Sequence, residues 1–226
     1  MLVRSALEQA GIMGAATARL TLLGAATWAR SAAAEQGFAV ARATLAMLRP
    51  ASLGPLPTSA VPGVRIRPLV TGEEGRVLHA LNHAWAGTWN FRPLTRRALT
   101  HDLAASRAGF LLAVDDQERI VGTVHAQFDR AGQNLDGGPF AWVANLTTDP
   151  AWRGKGLGRM LLAAGSTLLH ARRASSVMLG VDAGAPAPLA LYRSAGFGDV
   201  DRLELRERPL LVSVRAVSMH TSLQSL

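Results

Sequence analysis

The sequence predicts an α/β protein of the mixed α+β kind, with a central twisted mixed sheet carrying helices on both faces. Three observations predict it. From residue 64 onward, strand-type apolar runs alternate with amphipathic helical stretches. A segment of four prolines and two glycines, Pro50 to Gly63, separates that pattern from the first fifty residues. A glycine-rich turn, WRGKGLGR at 152–159, stands between a strand-type run and a helical one.

Each element has a local cause. Residues 64–69 (VRIRPL) alternate as a strand does. Thr71-Gly-Glu-Glu then supplies an N-cap and first-turn acids for a helix through Leu78, Leu81 and Trp85. A second helix covers about 95–105. Three strand-like runs follow at 109–115, 119–128 and 139–148, the first two joined by a turn at Asp115-Asp-Gln-Glu. Beyond the glycine turn, Leu157, Leu161, Ala164 and Leu168 place one apolar stripe on a helix from 157 to 172. A strand at 175–182, a short helix at 187–195 stopped by Gly196, and a closing hairpin from runs near 197–205 and 210–217 complete the order.

Composition narrows the function. With 226 residues, 49% hydrophobic and 18% charged, the chain has ample material for a core. The net charge of +8 is scattered rather than striped, which favours a phosphorylated small ligand over nucleic acid. Zero cysteines exclude a thiol nucleophile, disulfides and thiolate metal sites. Six histidines at 79, 83, 101, 125, 170 and 220 lack metal-ligand spacing, so no metal is expected. Residues 9–29 are apolar but interrupted by Arg19, short of the ~20 apolar residues a membrane span needs. No membrane partner and a cytoplasmic location are therefore expected.

Among glycine-rich loops, the triphosphate-binding loop requires Ser or Thr after its Lys, and here Gly156 follows Lys155. The dinucleotide fingerprint belongs after the first strand of a βαβ unit, and this turn follows about the fourth strand. Arg153-x-x-Gly156-x-Gly158 fits a third arrangement, a backbone turn at a helix start whose amides meet a pyrophosphate.

The stretch ANLTTDPAWRGKGLGRMLL, followed about thirty residues later by LALYRSAGF, resembles the GNAT superfamily of acetyl-CoA-dependent N-acetyltransferases over about residues 63–220. LNHAWAGTWNFRPLT further resembles the mycothiol-synthase-like branch, whose members often carry two such domains. The resemblance implies the GNAT acyl-CoA N-acyltransferase fold, with acetyl-CoA as co-substrate and a small-molecule or peptide amine as acceptor. It implies that the backbone of Leu146, Thr147 and Thr148 pairs with the pantetheine arm. Arg153, Gly154, Lys155, Gly156, Leu157, Gly158 and Arg159 would surround the pyrophosphate. Tyr192, the single tyrosine, matches the residue that places a hydroxyl near the CoA sulfur; packing under the sheet is its other reading. The family often has Asn where this chain has Ala185, so one usual cofactor contact is missing.

Direct attack by an amine on a thioester needs a base or water chain. Asp182, at a strand end, is a candidate base and equally a capping carboxylate; another frequent base position holds Gly180. Asn82, His83, Trp85, Trp89 and Phe91 stand where the family places its acceptor pocket, though such aromatics are more often core than ligand wall. A homodimer is compatible with the sequence.

Residues 20–25 (LTLLGA) resemble 176–181, and 28–38 (WARSAAAEQGF) resemble LYRSAGF, with Trp28-Ala29 at Leu191-Tyr192. The expected domains are thus 1–50, the back half of a degenerate first GNAT domain or an Ala-rich helical extension; 51–62, a linker; and 63–226, an acetyltransferase domain. A catalytically weak acyl-CoA-binding or regulatory module is the alternative function.

Overall fold

The computed structural model describes residues 2–24, 26–89 and 91–210, with the side chains of 2–6 and 105 excepted. Its elements follow the chain as α1 (Leu2–Ile12), β1 (Thr17–Leu23), α2 (Thr27–Glu35), β2 (Ala39–Pro50), β3 (Val64–Pro68), α3 (Glu74–Trp85), α4 (Arg96–Ser106), β4 (Phe110–Asp115), β5 (Ile120–Gln133), β6 (Pro139–Thr148), α5 (Leu157–Ala171), β7 (Ser176–Asp182), α6 (Pro186–Ser194) and β8 (Gly198–Pro209). They divide into two compact units, one being Thr44–Arg202 and the other comprising, of the described residues, those up to Ala43 with 203–210.

In the Thr44–Arg202 unit the strands lie in the order β2-β7-β6-β5-β4-β3. Neighbours are antiparallel except β6 and β7, which run parallel. Alternation along the strands sends side chains to two layers. On one face α3 and α4 close over Leu69, Phe110, Leu112 and Val114 with Val77, Leu81, Leu99 and Leu103. On the other, Leu157, Leu161, Leu162 and Leu169 of α5 pack with Leu189 and Tyr192 of α6 over strands β2, β5, β6 and β7. The mixed sheet with helices on both faces is as the sequence predicts.

Three local differences have plain causes. Helix α3 starts at Glu74 rather than after Thr71, because the Glu73 carboxylate accepts the Val70 amide (3.2 Å) and both Arg67 guanidinium nitrogens (2.7 Å each). Strand β5 runs on to Gln133 through exposed polar residues that still pair with β6, as Asp129 does with Phe140. The first run of the expected hairpin is the twelve-residue strand β8, whereas the run at 211–217 lies outside the described residues. The proline-rich segment is not a solvated tether: Leu56 and Val61 are buried in the cluster that holds Leu157 and Tyr192.

The unit containing the N-terminus builds on β1, paired antiparallel with β8 from Thr17↔Pro209 to Leu23↔Leu203. In the other unit β2 pairs antiparallel with β7 from Thr44↔Asp182 to Pro50↔Ser176. These two pairings are images of each other. Strands β1 and β7 have 7 residues, helices α2 and α6 have 9, and strands β2 and β8 have 12, all at one constant offset in the numbering. Gly37 (φ 78) and Gly196 (φ 85) end the two helices in the left-handed conformation, each before a buried phenylalanine, Phe38 or Phe197. Helix α1 matches the end of α5, with the left-handed turn taken by Gly14 (φ 87) and Arg173 (φ 62). Each half-repeat thus gives its last strand to the first strand of the other. The frame sets Ala33 on Tyr192, both buried, rather than Ala29, because it aligns the Gly-Phe pairs instead of the RSA tripeptides.

Candidate functional site

Strands β6 and β7 pair at only two positions, Trp142↔Met178 and Val143↔Leu179. Strand β6 nevertheless continues to Thr148 and β7 to Asp182, so a gap opens between them. Asn145 causes it. Its φ of 48 lies in the left-handed region that asparagine tolerates better than most residues. The β5–β6 register shifts there, from Thr123↔Thr147 to His125↔Ala144. The buried Thr123 hydroxyl donates to the Asn145 carbonyl (2.7 Å) and accepts from Thr147 Oγ1 (2.8 Å), which clamps the bulge. The backbone of Leu146, Thr147 and Thr148 therefore faces the gap without a strand partner on that side.

The glycine turn closes the wide end of this gap. Asp149 accepts the Ala151 amide (2.8 Å) and starts a 3-10 turn, Pro150–Trp152. Gly154 (φ 74) and Gly156 (φ 86) then take conformations costly for residues with a Cβ. A Cβ on Gly154 would meet nothing within 4 Å, so this backbone is open to a ligand. Gly156 caps the 15-residue helix α5 and supplies no side-chain acceptor, leaving the first-turn amides free. Gly158 has a different reason: its Cβ would lie 3.3 Å from Leu191 Cδ2, so it lets α6 approach α5. The nearby cations are engaged. Arg153 donates to the Ala84 carbonyl at the end of α3 (2.8 Å), Arg159 to Ser194 Oγ (2.5 Å), and Lys155 lies 5.1 Å from the Trp152 ring centre. Leu157 is buried and points into the core. The groups of the turn left to meet an anion are thus its backbone amides, a set that would fit a pyrophosphate.

Tyr192, on α6, is 7% exposed with its ring edge-on to Phe197. Burial pushes its phenol up to about 12, so it keeps its proton at any working pH. Asp182 ends β7, where its carboxylate accepts the Gly184 amide (2.8 Å) and shapes the turn into α6.

A family model described as the acetyltransferase (GNAT) family matches residues 76–197, more than half of the chain. The chain belongs to the GNAT acetyltransferase family. It is 38% identical over 176 residues to a mycothiol acetyltransferase of Thermobispora bispora, covering 73% of this chain and 57% of that one. It is 35% identical to that of Acidothermus cellulolyticus, covering 87% and 62%. The chain spans about half the length of the curated relatives it matches. Among solved structures, a GCN5-related N-acetyltransferase from Sphaerobacter thermophilus shares a TM-score of 0.70 and 26% identity, over 85% of this chain and 59% of that one. A tandem GNAT protein from the clavulanic acid biosynthesis pathway shares the fold, with a TM-score of 0.65 at 16% identity over 92% and 68%.

In this GNAT chain the residues expected around an acceptor do not form one group. Asn82 brackets the loop before α4, accepting the Leu94 amide (2.7 Å) and donating to the Leu94 carbonyl (3.1 Å). Trp85 packs against the core under α3 and α4, and Trp89 is 45% exposed. His83 lines a cavity of about 520 Å³ with Arg76, His79, Arg119, Ile120 and Asp149, its Nε2 lying 3.5 Å from the Asp149 carboxylate. Sequence reasoning missed Asn145 and Thr123, although an Asn at the centre of a strand-type run was a readable sign of a bulge. Among the described residues no cluster suited to a metal occurs, and no helix is long and apolar enough to cross a membrane.

Proposed function

We propose that this chain is an acetyl-CoA-dependent N-acetyltransferase that moves an acetyl group to an amine of a small molecule or an amino terminus by direct attack. The observation that carries it is the bulge-opened gap between β6 and β7, with the amide-lined start of α5 at its wide end. The backbone of Leu146–Thr148 is placed to add an extended amide-bearing arm as a strand. Gly154, Gly156 and the first turn of α5 hold the pyrophosphate. Acetyl-CoA supplies the activated acyl group as a thioester. The Tyr192 phenol, protonated throughout, donates a hydrogen bond where negative charge gathers on the leaving sulfur. With a pKa near 12 it is a weaker acid than an ordinary thiol at ~8.5, so it stabilises the thiolate rather than surrendering its proton outright. The attacking amine gives up its proton to Asp182 or to water.

The test combines calorimetry with acetyl-CoA and mass spectrometry of amines incubated with it. Mycothiol lacking its acetyl group comes first, because the relatives are named mycothiol acetyltransferases. A gain of one acetyl on an amine supports the reading, and absence of acetyl-CoA binding sinks it. The engagement of Asp182 by the Gly184 amide favours one other reading, an acyl-CoA-binding module with weak turnover. Binding without transfer to any amine would select it.

Residues 1–50 are read as the back half of a degenerate first GNAT domain, 51–62 as a linker and 63–226 as the acetyltransferase domain. Support comes from the matched element lengths and from Ala33 in place of a tyrosine. The enzyme is taken to be cytoplasmic, and a homodimer is checked by light scattering.

A further inference from the structure

The last carbonyls of a helix have no partner within it. At the end of α6 the Ala195 carbonyl accepts Arg49 Nε (2.8 Å). The same guanidinium donates through Nη1 to the Gly54 carbonyl (2.7 Å) and through Nη2 to that of Leu53 (3.3 Å). Arg49 is 4% exposed, and among the described residues no carboxylate pairs with it. A buried cation solvated only by carbonyls is held tightly, since losing any one leaves charge uncompensated. The approach depends on Gly196, where a Cβ would come within 3.6 Å of Arg49 Nε and 3.0 Å of Leu53 Cδ1.

Tyr192 is one turn back along α6. Its carbonyl accepts the amides of Ala195 (3.0 Å) and Phe197 (3.1 Å), so the end that Arg49 holds is the end that fixes the tyrosine backbone. Beyond Gly54 the chain buries Leu56 and Val61 in the cluster containing Tyr192 and Leu157, and a Cβ on Gly156 would lie 3.9 Å from Val61. One strap therefore runs from the tyrosine helix to the glycine turn, anchored by Arg49.

The geometry points to Arg49 as a positioning residue for Tyr192, contributed to the acetyltransferase fold by the N-terminal half-repeat. It rests on the reading of Tyr192 as the group at the thioester. The molecule contains its own control: Arg208, at the matching position of the other half-repeat, donates to the Gln36 carbonyl (2.8 Å), beside a helix with Ala33 in the tyrosine's place.

Because the chain has one tyrosine, protein labelled with 3-fluorotyrosine gives a single fluorine resonance. The variants are Arg49→Met, Arg49→Lys, Arg208→Met and Tyr192→Phe. Expected for Arg49→Met are a shifted, broadened resonance, a phenol that titrates at lower pH, and kcat about tenfold or more below wild type. Its acetyl-CoA affinity should stay within about twofold. Arg49→Lys, which reaches fewer carbonyls, should fall between. Arg208→Met should leave the resonance and kcat unchanged. An unmoved resonance with wild-type kcat in Arg49→Met overturns the proposal, as does an equal loss in Arg208→Met. Should Arg49→Met not fold, an unmoved resonance with wild-type kcat in Arg49→Lys overturns it. Wild-type kcat in Tyr192→Phe refutes the tyrosine's role itself, a result separable from the resonance shift that reports on Arg49.

Discussion

At the scale of single residues, the proposed site would separate groups that bind through backbone from one that acts through a side chain. Tyr192→Phe should lower kcat about a hundredfold while acetyl-CoA affinity changes little, because the hydroxyl is needed where charge develops. Steady-state kinetics beside calorimetry reads both. Since the phenol is pushed up to about 12, the pH–rate profile of the wild type should show no loss from tyrosine ionisation below pH 10. Gly156→Glu should weaken acetyl-CoA binding at least tenfold, by placing a carboxylate and a strained left-handed residue at the start of α5. The glycines and the tyrosine were legible in the sequence, whereas the division of labour among the glycines was not. Gly154 is open and Gly158 is a packing glycine, and only the approach of Leu191 tells them apart. Arg153 likewise reads in the sequence as a phosphate ligand, and the structure adds its bond to the Ala84 carbonyl, which no local pattern announces.

Elements are held by close approach and by a few partly buried ion pairs. Helix α5 lies against β5 at Gly165, where a Cβ would come 2.8 Å from Val124 Cγ2. Gly165→Ala should therefore cost about 1–3 kcal/mol and lower Tm by several degrees, as thermal unfolding would show. Glu73 ties β3 to the start of α3. The hydrogen bond from Arg67 holds its carboxyl down at about 2, below the ordinary 4.5. A depressed carboxyl stabilises the fold above its unfolded pKa and loses that contribution as pH falls, so stability should decline from about pH 4.5 towards 2. Glu73→Gln should flatten that decline in urea titrations taken at several pH values. Most elements were legible because their apolar residues keep period. The tail of β5 was not: Asp129–Gln133 is mostly exposed and lacks an apolar period, and only its pairing with β6 makes it a strand.

Over the whole molecule, periodicity names the strands but not their partners. The resemblance of the first fifty residues to the end of the chain could be seen in Gly-Phe and RSA, yet the exchange of β2 and β8 could not, since pairing at such separation leaves no local trace. The exchange makes the N-terminal segment structural. Deleting residues 1–50 removes the antiparallel neighbour of β7 and the cap on Ala195, and the remaining protein should lose its cooperative melt in circular dichroism. The same exchange sets a timetable for biosynthesis. While the ribosome works, the apolar stretch Thr44–Leu48 has no strand to join until β7 emerges about 130 residues later, a wait of roughly 6–25 s at about 5–20 residues per second. Strand β1 waits longer still, because its partner is the end of β8. Nascent chains of this protein should depend on a holding chaperone over β1 and β2, and slowing translation between β2 and β7 should cost more yield than slowing it before β1.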